Sequence, residues 1–365
     1  MKFSISQSEL QNALTVVQKG VSTRSTLPVL SGIYIETEGD SVTFQTTDLE
    51  LSIQYNAPAM VEEEGMAVVP GKLIVDIVKS LPDAAVHITA GEEDAVITCD
   101  TSSFSIKCLN PEDFPSFPVV QTDQTISIPF EVFSSMAKRV CRVASRDESR
   151  PILTGVLVTL EGGTLRMVST DSYRLAVSQR AVETDAQDFN AVIAASFMSE
   201  LAALPKTGED ISLALAENQI VVSYHETVFV NRRIEGRYPN YKQLLPPNYE
   251  TRAVVGTSAL AAAVKRAGLL GQNGSSVKFT VDADAQLLTL SSAVQDIGSA
   301  QESIPAQVEG QSVEIAFNGG YVVEGLSAVN DQSVALELQN SMRPGIFKGA
   351  DDQDYLYLVM PVRIA

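Results

Sequence analysis

The sequence predicts an α+β protein built from three tandem copies of one unit, each with an antiparallel sheet and two helices. Two observations predict this fold class. A strand followed by a helix with one apolar face recurs after 123 residues, at 3–17 and again at 126–140, and a third start lies at 253–267. The chain of 365 residues also exceeds what one hydrophobic core usually organises. We therefore expect three domains, at 1–122, 123–249 and 250–365.

The first helix of each copy precedes a strand hairpin. Residues 27–49 alternate apolar and polar side chains around a Gly-Asp turn, and residues 151–171 do the same around a Gly-Gly turn. A weaker third version covers 277–290. Period-two alternation around a turn that contains glycine is typical of a β-hairpin.

A second helix follows in each copy. The apolar spacing of residues 73–81 and 197–204 is helical, and a proline follows each segment, at Pro82 and Pro205. Proline just beyond the last apolar position is a helix stop. Each unit should therefore contain a strand, a helix, three or four strands, a second helix and several further strands. Proline-rich segments at 110–118 and 236–247 are the expected linkers.

The composition indicates a globular protein. With 45% hydrophobic and 19% charged residues, the chain lies outside the disordered and low-complexity classes. Its cysteines, Cys99, Cys108 and Cys141, have no CxxC spacing and fit free thiols in a reducing compartment. The longest apolar runs fall far short of the roughly 18 residues of a membrane span. No signal-peptide pattern opens the sequence. We expect a cytoplasmic protein that does not contact a membrane.

The charge distribution differs from the net charge. Acidic residues outnumber basic ones by 45 to 26, and a net charge of −19 would ordinarily argue against a nucleic-acid partner. Basic residues nevertheless concentrate on and just after the predicted helices, and five lie within 13 residues of the second copy: Lys138, Arg139, Arg142, Arg146 and Arg150. Basic helices on an acidic molecule could contact phosphates without reading bases. Such binding would be weak, so that topology would have to keep the protein on DNA.

No motif for catalysis or metal binding is present. The two histidines, His87 and His225, lie in strand-like alternation, and the P-loop, GxSxG and HExxH patterns are absent from the sequence. The acidic run at 351–354 is typical of a surface turn. We therefore expect no catalysis and no cofactor. Two alternatives stay open: a hydrolase or transferase with a scattered carboxylate site, and a protein-interaction scaffold that never meets DNA.

Several short motifs follow one another along the whole chain. They are Thr-Leu-Pro-Val-Leu at 26–30, Thr-Asp-Leu-Glu at 47–50, Thr-Asp-Ser-Tyr-Arg-Leu-Ala at 170–176, Gly-Arg-Tyr-Pro at 236–239, Phe-Asn at 317–318 and Val-Met-Pro-Val-Arg at 359–363. Each is weak alone, but their combination is highly specific. In this order they resemble the bacterial DNA polymerase III β subunits, the sliding clamps.

The resemblance implies a head-to-tail homodimer that closes as a six-domain ring, with helices lining the hole and sheets outside. Such a ring encircles duplex DNA without sequence specificity and confers processivity in DNA replication. It tethers the replicative polymerase, the clamp loader and repair proteins through short peptide motifs, and it catalyses nothing itself.

The family's partner-peptide pocket lies between the second and third domains. Its candidate residues here, carried over motif by motif, are Leu153, Thr170, Ser172, Tyr173, Arg174, Leu175, Pro239, Leu244, Asn318, Tyr321, Met342, Pro344, Leu358, Val359, Met360, Pro361, Val362, Arg363 and Ile364. Apolar side chains in such a pocket supply most of the affinity for a short peptide. Three features depart from the family pattern. Ser172-Tyr173 replaces the common Gly-His, Gln243 replaces a frequent basic residue, and 272–276 lacks an expected aromatic residue. The preferred peptide motif is therefore expected to differ.

The same resemblance indicates DNA and dimer contacts. Arg24 and Arg150 match family positions that contact phosphate, and the charge distribution adds Lys138, Arg139, Arg142 and Arg146. For the dimer interface, Phe104 and Ile106 on a strand of the first copy are expected to meet Leu269 and Leu270 in the third. The alternation around Phe104 is typical of an edge strand that a partner covers. Core positions are the alternative for both pairs.

Overall fold

A computed structural model describes residues 1–22, 26–122, 124–270 and 276–363 of the chain. Helices and strands alternate along these residues in three similar blocks, so the predicted α+β class and the three tandem copies are confirmed. Short 3-10 helices connect several of the elements.

The elements of the first copy, within the described residues, are β1 (Lys2–Ser6), α1 (Gln7–Val17), β2 (Gly32–Glu38), β3 (Ser41–Thr47), β4 (Leu51–Pro58), β5 (Met60–Glu63), β6 (Gly65–Pro70), α2 (Gly71–Ser80), β7 (Ala85–Ala90), β8 (Asp94–Cys99) and β9 (Ser102–Lys107). Those of the second are β10 (Gln124–Pro129), α3 (Phe130–Val140), β11 (Gly155–Glu161), β12 (Thr164–Thr170), β13 (Arg174–Ala181), β14 (Phe189–Ala194), α4 (Ala195–Ala202), β15 (Asp210–Leu215), β16 (Gln219–Tyr224) and β17 (Thr227–Arg232).

The third copy contains β18 (Thr251–Gly256), α5 (Thr257–Ala267), β19 (Ser276–Asp282), β20 (Leu287–Val294), β21 (Gly298–Pro305), β22 (Gln307–Gly310), β23 (Val313–Asn318), α6 (Gly319–Leu326), β24 (Ser333–Leu338), β25 (Gly345–Gly349) and β26 (Tyr355–Val359). Between the two helices of each copy, the described residues thus form five, four and five strands. The sequence predicted three or four, because the short strands β5 and β22 carry few apolar residues.

The first helices of the three copies match closely. Helices α1, α3 and α5 each have 11 residues, and a one-turn 3-10 helix follows each of them. In α1 the buried residues Leu10, Ala13, Leu14 and Val17 have the spacing of one helical face. A buried hydroxyl of the following hairpin donates to the last helical carbonyl in every copy: Thr46 to Val17, Ser169 to Val140 and Ser292 to Ala267. Each satisfies a carbonyl that the helix end leaves without an intrahelical partner.

The glycine that begins the first hairpin strand is also equivalent in two copies. A Cβ on Gly32 would lie 2.4 Å from Cγ1 of Val68, and a Cβ on Gly155 would lie 2.4 Å from Cγ1 of Val192. Both positions therefore need glycine for the same close approach between neighbouring strands. The repeat thus extends to packing that sequence periodicity does not show.

In the part of the chain that the structure describes, the strands form four sheets with antiparallel pairing. Their orders are β5-β1-β7-β8-β9, β10-β15-β16-β17-β4-β3-β2-β6, β14-β11-β12-β13-β26-β25-β24-β18-β22 and β21-β20-β19-β23. The two longer sheets each combine strands from neighbouring copies. Strand β4 of the first copy pairs with β17 of the second, and β13 of the second pairs with β26 of the third.

These shared sheets divide the chain into two compact units. One unit holds Met1–Phe130 with Lys206–Arg233, and the other holds Glu131–Pro205 with Ile234–Ala365. The second copy thus contributes strands to both units. Strands β14 and β15 follow each other in the sequence but belong to different units, because they pair within different sheets.

Candidate functional site

A tight turn at residues 170–174 joins β12 to β13. The hydroxyl of Thr170 accepts from the backbone N–H of Ser172 at 3.1 Å, and the Asp171 carboxylate accepts from the N–H groups of Tyr173 and Arg174 at 2.9 and 3.0 Å. Ser172 has a φ of 81°, which places it in the left-handed region that serine rarely adopts. The turn leaves the Tyr173 side chain 60% exposed.

The Arg174 side chain is buried behind this turn. Its guanidinium donates to Asp171 at 2.9 Å, to Glu324 at 2.6 Å and to the Tyr357 hydroxyl at 3.4 Å. It also lies 4.4 Å from the ring centroid of Tyr321. Burial acts to lower the pKa of Arg174, but Tyr357, Glu324 and Asp171 together raise that pKa above its ordinary value. The charged side chain therefore fixes α6 to the turn.

The C-terminal segment completes the site. Strand β26 pairs with β13 so that Leu358 lies opposite Leu175. Beyond the strand, the N–H of Met360 donates to the carbonyl of Tyr173, and the N–H of Val362 donates to the carbonyl of Ala316 on β23, each at 2.9 Å. The turn, the end of β26 and the end of β23 thus converge, although they are distant in sequence.

The site has a buried apolar floor and an exposed rim. The floor is a cluster of Val168, Leu175, Val177, Tyr241 and Leu358, with exposed fractions of 0 to 7%. The rim holds Tyr173 and Met360, which are 60 and 37% exposed and are joined by the backbone hydrogen bond described above. Two further predicted pocket residues are also accessible apolar side chains: Leu244 and Met342, which are 45 and 83% exposed. Clustered apolar side chains at a surface are typical of a place where a partner binds.

The predicted pocket residues fall into three classes of burial. Buried are Leu153, Thr170, Arg174, Leu175, Leu358 and Val359. Partly exposed are Asn318, Tyr321, Pro344, Pro361 and Val362. Exposed are Ser172, Tyr173, Pro239, Leu244, Met342, Met360 and Arg363. Ile364 lies outside the described residues.

Sequence reasoning missed several residues of the site. Glu324 and Tyr357 bind Arg174, and Tyr241 is part of the apolar floor. The apolar alternation of Leu175 and Val177 was a signal for the floor, because both lie on one face of β13. No sequence signal connected Arg174 with a carboxylate 150 positions away.

Four of the predicted DNA-binding residues are exposed and lie on α3 or in the segment that follows it. Lys138 and Arg146 are exposed. Arg142 is exposed and donates to the Ser327 hydroxyl at 2.6 Å. Arg150 is 44% exposed and donates to Asp147 at 3.0 Å and to the Ser172 hydroxyl at 3.1 Å. Arg24 lies outside the described residues.

The prediction that Arg139 contacts phosphate is wrong. Its side chain is 8% exposed, pairs with Asp352 at 3.0 Å and lies 5.3 Å from the ring centroid of Tyr355. Residue 139 follows Met136 by three positions and precedes Val140, so it lies toward the buried face of α3. Counting basic residues along a helix does not separate its two faces.

The predicted dimer residues differ in exposure. Strand β9 is the last strand of its sheet, so the predicted edge at Phe104 is confirmed, and Phe104 is partly exposed. Ile106 on the same strand is only 6% exposed and packs within its own unit, which corrects its assignment to a contact surface. Leu269 is 73% exposed and Leu270 is partly exposed. Their 3-10 helix lies against β21, which is the last strand of the four-stranded sheet.

Metal-ligand clusters and long apolar helices are both absent from the described residues. No cluster of three His, Cys, Asp or Glu residues there could hold a metal ion. No helix in the same ranges is long and apolar enough to cross a membrane.

Comparison with known proteins gives one consistent result. Three family models match in succession, described as the N-terminal, central and C-terminal domains of the DNA polymerase III beta subunit, over residues 1–118, 127–240 and 242–363. The beta sliding clamp of Staphylococcus epidermidis is 32% identical over all of this chain and 99% of its own length, and that of Staphylococcus aureus is 31% identical over the same shares.

Solved structures agree with these relatives. The DNA polymerase sliding clamp from Bacillus subtilis superimposes with a TM-score of 0.95 at 29% identity, with both chains covered completely. A sliding clamp from Pseudomonas aeruginosa bound to griselimycin also reaches a TM-score of 0.95, at 26% identity and with complete coverage of both chains.

Proposed function

Because this chain belongs to the DNA polymerase III beta-subunit family, the bacterial sliding clamps, we propose that two copies close into a ring around duplex DNA. The family consists of processivity factors without catalytic activity of their own, which agrees with the expectation that the chain is not an enzyme. The match of three successive family domains over nearly the whole chain carries the proposal. We retain the three domains at 1–122, 123–249 and 250–365 as part of it.

The exposed basic residues support a DNA-facing surface. Lys138, Arg142, Arg146 and Arg150 are exposed on or after α3, and Lys265 lies in the last turn of the equivalent helix α5. Cations at these positions can neutralise phosphates in any base sequence. The net charge of −19 opposes tight binding, so a closed ring would have to keep the protein on DNA. Such a protein acts where chromosomal DNA is, and we propose a cytoplasmic location.

Two edge strands support a homodimer. Strand β9 ends the five-stranded sheet and β21 ends the four-stranded sheet. Edge strands present unpaired N–H and C=O groups, and pairing β9 of one copy with β21 of another removes both edges. Head-to-tail contacts of this kind form closed rings when the rotation closes. The exposed Leu269 beside β21 and Phe104 on β9 supply apolar contact for that pairing.

The apolar floor and rim in the second unit support peptide binding. A short peptide with apolar side chains would cover Leu244, Met342 and Met360, which are otherwise exposed. A few anchor residues in a preformed pocket supply most of the affinity of such a complex. We propose that the replicative polymerase, the clamp loader and repair proteins bind here in turn through short motifs.

Retention on circular DNA tests the ring. Protein loaded onto a nicked circular plasmid should stay with the DNA during gel filtration, and cutting the plasmid once should release it. Linear DNA with a bulky protein block at both ends is the control, and it should restore retention. Equal loss from circular and linear DNA would disprove the ring.

Charge introduced at the two edges tests the dimer. The double variant Phe104→Asp with Leu269→Asp should reduce the mass measured by light scattering from twice 39.2 kDa to 39.2 kDa. Two buried carboxylates without partners oppose association strongly. Val119→Asp is the matched control, because Val119 is 99% exposed and an added charge there meets only solvent. A dimeric double variant would contradict the assigned edges.

A further inference from the structure

One side chain connects the two proposed binding surfaces. Arg150, in the basic set that follows α3, donates from Nη1 to the hydroxyl of Ser172 at 3.1 Å. Ser172 belongs to the turn at the rim of the peptide pocket. The Nε of the same arginine donates to Asp147 at 3.0 Å, so the guanidinium is held between an acidic loop residue and the pocket turn.

We propose that Arg150 couples DNA to peptide binding: it holds Ser172 when the ring is empty and turns to a phosphate when DNA is present, which lowers peptide affinity. This inference rests on the proposed clamp function. DNA inside the ring thereby regulates the affinity of that same pocket for peptide.

Ser172 needs outside support because of its backbone conformation. Its φ of 81° is unfavourable for a residue with a side chain. Within the turn, its N–H is held by Thr170 at 3.1 Å, and outside the turn its hydroxyl is held by Arg150. Tyr173, the next residue, accepts from Met360 at 2.9 Å and so joins the turn to the C-terminal segment. Loss of the Arg150 hydrogen bond therefore makes the rim of the pocket less ordered. A peptide would then have to order this rim when it binds, which lowers its affinity.

A phosphate can compete for Arg150 on chemical grounds. The Ser172 hydroxyl is a neutral acceptor, whereas a phosphate is charged and can accept two parallel hydrogen bonds from one guanidinium. The side chain is 44% exposed and lies outside the core, so it can change partner without unfolding. Asp147 keeps the guanidinium near the loop in either position. By linkage, a peptide that favours the Ser172 contact weakens the DNA contact by the same factor.

The test measures peptide affinity with and without DNA. A fluorescein-labelled peptide carrying the clamp-binding motif is titrated with free protein, and again with protein loaded onto nicked circular DNA, by fluorescence anisotropy. We expect the dissociation constant to rise roughly threefold on DNA, below the usual 5- to 150-fold range of allosteric coupling because the hydrogen bond is exposed. An equal constant in both states overturns the inference.

Variants at Ser172 locate the effect. Ser172→Ala removes the hydroxyl and should bind peptide about threefold more weakly without DNA, with no further change on DNA. Ser172→Asn should restore the response, because asparagine tolerates a positive φ and offers an acceptor oxygen. Glu148→Gln is the control in the same loop and should respond as the unaltered protein does. A Ser172→Ala protein that keeps the full response to DNA overturns the inference.

Failure of the inference can be told from failure of the proposed function. If peptide binds and the ring is retained on circles, yet the two events are independent, only the coupling is wrong. If the peptide does not bind or the ring is not retained, both proposals fall.

Discussion

The turn at 47–51 in the first copy and the turn at 170–174 in the second have the same backbone and different surroundings. In the first, Thr47 accepts from the N–H of Leu49 at 3.0 Å, as Thr170 does from Ser172. Asp48 accepts from the N–H of Leu51 at 2.7 Å, as Asp171 does from Arg174. Leu49 and Ser172 have φ values of 77° and 81°. Local sequence therefore builds the same turn twice, and the turn alone does not make a site.

The difference lies on the strands beside the turn. On one face of β3 and β4 the first copy presents Gln45, Ser52 and Gln54, and the equivalent positions of the second copy hold Val168, Leu175 and Val177. Both glutamines are partly exposed, whereas all three apolar residues of the second copy are buried in one cluster with Tyr241. A change of three side chains on one sheet face separates a polar surface from the apolar floor of the proposed peptide pocket.

The first prediction removes this difference between the two copies, and it has the largest expected effect on stability. Leu175→Ser gives the second copy the residue that the first has at Ser52. Leu175 is fully buried, so the change should lower the free energy of unfolding by about 3–5 kcal/mol, measured by guanidinium denaturation, and abolish peptide binding. Ser52→Ala is the matched control in the first copy. It loses one hydrogen bond to Thr47 and should cost about 1 kcal/mol. Equal losses of unfolding free energy from Leu175→Ser and Ser52→Ala would contradict the prediction, because they would show that the two sheet faces are alike.

The second prediction exchanges the residue that follows the turn. Arg174→Leu introduces the residue that the first copy has at Leu51, and it leaves Asp171 and Glu324 without their cation. Removing one partner of a buried pair costs about 3–5 kcal/mol, and since Glu324 is 39% exposed we expect about 2 kcal/mol. Thermal unfolding measures the loss, and peptide affinity should fall with it. Glu324→Gln keeps the shape of its partner and should lose less. An Arg174→Leu protein as stable as the unaltered one would contradict the role of the pair.

The third prediction sharpens the similarity of the two turns and has the smallest effect. Ser172→Gly and Leu49→Gly should each raise the free energy of unfolding slightly, by about 0.5 kcal/mol, because glycine adopts a positive φ without strain. Chemical denaturation with each single variant measures the two gains. The relief of strain should be similar because the two φ values differ by only a few degrees, but Ser172→Gly also loses the exposed hydrogen bond from Arg150, so its net gain should be the smaller of the two. A gain in one copy and a loss in the other would show that the turns are held differently.

Much of the fold was predictable because its signals are local. The 11-residue first helices lie where the spacing of 123 and 250 residues placed them, since each depends on its own apolar face. The residues proposed for the pocket near Thr170 and in the C-terminal segment come from short motifs, and their role in peptide binding stays a prediction. Met360 and Tyr173 do meet through a backbone hydrogen bond, although 187 positions separate them.

The remaining features depend on contacts between distant segments, which sequence patterns do not specify. Arg139 appeared equivalent to its basic neighbours until its pairing with Asp352 placed it among buried residues. Ile106 lies in an alternating apolar and polar pattern that is typical of an interface strand, yet its side chain is buried in its own unit. Both side chains can be either buried or exposed, and the neighbouring elements of the folded chain determine which of the two occurs.

The sequence by itself determined the threefold repeat, the α+β class, the two Thr-Asp motifs and the family. These follow from periodicity and short motifs, in which each residue acts on neighbours within a few positions. The tertiary structure alone decided that β4 pairs with β17 and β13 with β26, that Arg174 reaches Glu324, and that Arg150 reaches Ser172. Strand edges and charged side chains accept many partners, so the folded chain decides which one lies within bonding distance.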